Sequence, residues 1–148
     1  MKAFHFPLQR VLDWRALQLR TEEEKLSAIQ NKLAEVLHRE NALLVAELNA
    51  EMNLLGKTSA EGSEFRALAA FQLHLRHERI SLLASRRNYE NLLAEQRKRL
   101  LKARKDCKTV ENLKEIRKTA WKYLNDRELE NTAAESYISK WARSNAEK

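Results

Sequence analysis

His74 and His77 stand three residues apart, a spacing that puts two imidazoles on one face of a helix, where a metal ion could bridge them. The sequence around them supplies neither cysteine nor a cage of carboxylates, so two solvated histidines are the plainer reading. Cys107, the one cysteine, could be a reactive thiol. It falls on an apolar seam, however, where a small core residue is expected. The many carboxylates have Lys or Arg partners at helical i,i+4 spacing. A Gly-rich phosphate loop, a nucleophile elbow and zinc-finger spacing are all missing. Catalysis needs a concave pocket, and a chain folded as two helices offers none. The expectation is a protein that is not an enzyme, with no cofactor, no metal and no small-molecule substrate.

Composition dictates the elements that position these residues. The 148 residues include two Gly and one Pro; 33% are charged and 43% hydrophobic. Such a mixture builds long helices or a coiled coil with one or two turns, and hydrophobic residues at a helical period argue against disorder. One domain, 1–148, is the default at this length. A single cysteine excludes an internal disulfide framework and fits a reducing compartment. No stretch approaches the roughly 18 apolar residues of a membrane span. Arg10, Asp13 and Arg15 interrupt the apolar head MKAFHFPLQRVLDWR before a secretory-signal core forms. A soluble cytoplasmic protein is expected.

The breakers cluster between Gly56 and Ser63, which predicts helix 8–55, turn 56–63 and helix 64–145. Gly56 suits the left-handed residue that ends a helix. Ser63 suits the next N-cap, with Thr58…Glu61 a weaker capping box. Pro7 belongs in a first helical turn. In the second helix, alternating steps of three and four run from Phe65 through Leu68, Leu75, Leu82, Leu93 and Cys107 to Val110, then thin out through Arg117, Trp121 and Leu124. The first helix keeps this spacing from Leu8 to Leu33, then slips to Leu37, Leu44, Leu48 and Leu55 as a stutter would. The predicted fold is all-α: a long antiparallel two-helix coiled-coil hairpin in which facing positions sum to about 119. Leu12 then meets Cys107, Arg15 lies near Arg104, and Phe4, Phe6, Leu8 and Leu12 close the open end against Ala103–Glu111. The longer second helix leaves a C-terminal overhang of about 30 residues. There Trp121, Leu124, Tyr137, Ile138 and Trp141 lack an intramolecular partner and form a candidate interaction surface.

Charge is concentrated. The net charge is +7, yet residues 76–127 hold 16 Lys/Arg against 7 Asp/Glu. Within them the block RKRLLKARKDCK, 97–108, carries Arg97, Lys98, Arg99, Arg104, Lys105 and Lys108. Such residues outside a seam form a solvated face, or they meet an acidic protein surface, a phosphate backbone or anionic lipid. A basic-zipper arm precedes its zipper, whereas this block lies inside the heptad frame, so nucleic acid is not the expected partner.

Phe4-His5-Phe6-Pro7-Leu8-Gln9-Arg10-Val11-Leu12, followed by Arg15, resembles the opening F-x-F-x-L-x-x-V-L-x-x-R of many members of the FliJ family of flagellar type III export proteins. Ala103-Arg104, Lys108, Glu111-Asn112-Leu113-Lys114-Glu115 and Arg127-Glu128 resemble the same family near its C-terminal end. Where many members carry an acidic pair there, this chain has Ala134-Glu135.

The resemblance implies an antiparallel coiled-coil stalk similar to the γ subunit of rotary ATPases. Its open end would insert into the hexameric ring of the flagellar export ATPase, with Arg10, Trp14 and Arg15 facing outward beside the basic block to form the contact. It implies further partners in the cytoplasmic domain of the FlhA-type export gate and in export chaperones, and a cytoplasmic location, peripheral at the inner membrane. The alternative is a basic coiled-coil scaffold for nucleic acid or an anionic membrane surface.

Overall fold

Between Pro7 and Gly56 nothing interrupts helical hydrogen bonding. The computed structural model, which describes residues 3–146, has one helix there, α1 (Gln9–Leu55, 47 residues). A second, α2 (Gly62–Ala146, 85 residues), completes the fold; no strand occurs among the described residues. The two long helices pack against each other. Phe6 caps the start of α1, its carbonyl accepting from the Gln9 N–H at 3.1 Å across Pro7, which has no N–H to lose.

The turn differs from its sequence reading in two ways. Gly56 is not left-handed: its φ is negative and its N–H donates to the Met52 carbonyl at 2.9 Å, so it extends the helical pattern. The cap of α2 is Glu61, not Ser63. The Glu61 carbonyl accepts from the N–H groups of Glu64 (3.0 Å) and Phe65 (3.4 Å), and the Glu64 carboxylate accepts from the Glu61 N–H at 3.1 Å. This is the returning half of a capping box, and it leaves Ser63 inside the first turn, where its hydroxyl bonds the Glu61 carboxylate. Lys57 holds the same Glu64 in an ion pair, which lowers the pKa of Glu64 together with the Glu61 N–H.

Contacts group into two units, Arg20–Lys102 and Met1–Leu19 with Ala103–Lys148. In the first, α2 presents Leu68, Gln72, Leu75, Arg79, Leu82, Arg86, Tyr89, Leu93 and Gln96 on its less exposed side, while Phe65 is exposed. On α1 the expected slip does not occur. The three-and-four spacing continues through Leu33, Val36, Glu40, Leu43, Glu47, Ala50 and Leu54, and Leu37, Leu44, Leu48 and Leu55 are exposed. The reason is charge pairing on the seam. Arg79 holds Glu47 at 2.7 Å, Arg86 holds Glu40 at 3.3 Å, and Gln72 donates to Glu51 at 2.8 Å. Numbers rise along α1 as they fall along α2. The core is thin: Leu43, Leu75 and Leu93 are buried, as is Gln96, which donates to both the carbonyl and the carboxylate of Glu22.

In the other unit Phe6 and Cys107 are the buried side chains among the described residues. Arg15 pairs with Asp106 at 3.1 Å, Lys114 donates to Gln9 at 2.9 Å, and the rings of Phe4 and Trp121 lie 5.8 Å apart. The head therefore reaches beyond Ala103–Glu111, to Trp121. After Lys114 the protected side of α2 runs through Lys118, Trp121 and Asn125 instead of Arg117 and Leu124. Two consecutive steps of four make an 11-residue spacing from Val110 to Trp121, which removes the left-handed drift of a strict heptad.

Candidate interaction surface

The start of α1 holds Phe6 inward and so turns Arg10 and Trp14 outward; both are exposed, Trp14 by 51%. Arg15 does not share that outward position. Its guanidinium lies 4.9 Å over the Trp14 ring while binding Asp106 and Gln18. A seam arginine already engaged with a carboxylate positions Trp14 and has little free charge left for another molecule.

The basic residues divide into paired and unpaired sets. Arg20, Lys25, Lys32, Arg39, Lys57, Arg79 and Arg86 each hold a carboxylate of this chain. Arg86 has both Glu90 and Glu40, and its pKa is raised by Glu90 first. By contrast Arg97, Lys98 and Arg99 in one unit, and Lys105 and Lys108 in the other, are exposed with no ion pair among the described residues. Arg104 is exposed and has a partner. Arg99 also acts through space on Glu22, so Arg97, Lys98, Lys105 and Lys108 keep the most charge for an external partner.

The overhang set separates. Trp121 is half-buried against Phe4, so it has the intramolecular partner the sequence reading denied it. Leu124, Tyr137, Ile138 and Trp141 are exposed by 61–72%. Ile116 and Tyr123, also exposed, belong with them and were missed because the sequence reading followed the seam facing α1.

The residues capable of chemistry are dispersed. His74 is exposed, 3.8 Å from Glu78, and no group of three or more His, Cys, Asp or Glu among the described residues could hold a metal. Burial pushes the Cys107 thiol up, helped by Glu111, so the thiolate is disfavoured. Glu22 is held below the usual carboxylate range, chiefly by Lys25 and then by Gln96. Among the described residues no helix is long and apolar enough to cross a membrane. No family model matches the chain, and no curated protein or solved structure is significantly similar to it.

Proposed function

We propose that this protein is a non-catalytic component of flagellar protein export: an antiparallel coiled-coil stalk that binds the hexameric export ATPase through its open end and the FlhA-type export gate elsewhere, and assists chaperone handling. One observation supports the reading above the others. The two stretches that resemble the FliJ family, Phe4–Arg15 and Ala103–Glu115, belong to one compact unit and touch through Arg15–Asp106 and Gln9–Lys114. Beside those contacts stand the exposed Arg10, Trp14, Lys105 and Lys108, a cationic and aromatic group suited to an acidic protein surface. The protein acts at the cytoplasmic face of the inner membrane in this reading. Its test is co-sedimentation with a purified export ATPase hexamer: binding that weakens with salt and requires the apolar head supports the stalk.

Arg97, Lys98, Lys105 and Lys108, which make no ion pair among the described residues, favour a second reading, a scaffold for nucleic acid or anionic lipid. Binding to duplex DNA with a steep salt slope, unchanged by loss of the head, would support it instead.

A further inference from the structure

The overhang carries a second heptad seam, turned roughly half-way round α2 from the side that meets Phe4. Ile116, Ala120, Tyr123 and Arg127 are followed by Glu130, Ala134, Tyr137 and Trp141, in steps that alternate four and three without a break. All eight are exposed, the four largest apolar ones by 61–72%. Arg127 and Glu130 make no ion pair among the described residues, although they lie one turn apart.

We propose that this seam pairs with the same seam of a second copy of the chain, antiparallel, to form a symmetric dimer. The pattern is its own complement when reversed. Ile116 meets Trp141, Ala120 meets Tyr137, and Tyr123 meets Ala134, so in the last two layers a large ring sits over a small residue. In the middle Arg127 meets Glu130, twice by symmetry, supplying the carboxylate that each arginine lacks among the described residues of its own chain. In heptad terms every layer sets an a position against a d position, which is how antiparallel coiled coils align. The seam spans 116–141, about 39 Å of helix on each copy. An isologous contact of this kind closes on itself and stops at two copies. Lipid is the weaker occupant, because residues 115–143 hold six cations and five acids and so have little pull on an anionic surface. The dimer is independent of the export reading, since it uses none of the residues assigned to the ATPase contact.

Sedimentation velocity of the full chain under reducing conditions tests it. The expected result is a monomer–dimer equilibrium that shifts with concentration. Arg127→Glu and Glu130→Arg should each weaken the dimer about tenfold or more, by facing like charges, and the double reversal R127E/E130R should restore it. All three variants change exposed positions and should keep the wild-type helix content by circular dichroism. A wild type that stays monomeric, a dimer indifferent to both single reversals, or a double variant no better than the singles would overturn the proposal. So would a monomer that sediments with phosphatidylserine vesicles through Tyr123 and Trp141.

Discussion

Leu75 is 3% exposed and Leu48 is 57% exposed, and what each contributes to stability follows from that difference. Leu75→Ala should cost about 2–3 kcal/mol, near the lower end for buried leucine because a two-helix core relaxes around a cavity. Leu48→Ala should stay within about 0.5 kcal/mol. Urea titrations of the two variants check this, and comparable losses would mean that Leu48 is packed after all. Protonation gives a second prediction. Glu22 and Glu64 have pKa values lowered below 4.5 in the fold. A carboxylate with a depressed folded pKa binds protons more readily when unfolded, so its stabilisation is complete above 4.5 and fades as pH falls through the lower folded value. Acid titration followed by circular dichroism should show Glu22→Gln less sensitive than the wild type below about pH 4.5. Leucines misled the sequence reading at this scale. It followed Leu37, Leu44 and Leu48 because they are apolar, whereas arginines on the facing helix make Glu40 and Glu47 seam residues.

At the scale of elements, α2 was legible from Leu68 to Lys114 because its polar seam residues are spaced among large leucines at unbroken intervals. The two helices were legible for the opposite reason: Gly and Pro occur only at or beside the helix ends. The caps were not, since a Glu61–Glu64 pair closes α2 with acid side chains where Ser63 has the higher intrinsic preference. The candidate site was half legible. Composition marked the block 97–108, but the exposed stripe of Ile116 and Tyr123 lies off the predicted seam, and Phe4 reaching Trp121 depends on a register shift that no local signal announces. Charge pairing on the seam has a testable consequence for α1 and α2. Glu47→Arg should destabilise by about 1 kcal/mol by facing Arg79, and the exchange E47R/R79E should recover most of it, because a partly exposed pair is worth under about 1 kcal/mol in either orientation. Urea denaturation of the four members of this cycle measures the coupling; additive losses would mean the pair does not help set the register.

Across the whole molecule, charges divide by whether they are paired within the chain. Arg20, Arg79 and Arg86 hold carboxylates of this chain, whereas Arg97, Lys98, Lys105 and Lys108 make no ion pair among the described residues, and Arg10 and Trp14 stand exposed at the head. That division is what a stalk proposed to seat in an acidic ring would need. Folding and partner binding should therefore be separable. Arg10→Ala with Trp14→Ala removes two exposed side chains and should change stability by no more than about 0.5 kcal/mol each. The most direct measurement is the affinity of that double variant for the purified export ATPase hexamer beside the wild type, by surface plasmon resonance at low and moderate salt. The account predicts wild-type binding that weakens with salt and a loss of about tenfold or more in the variant. Full binding by the variant, with wild-type helix content, would contradict the proposed contact, and no binding by the wild-type chain would contradict the proposed function itself.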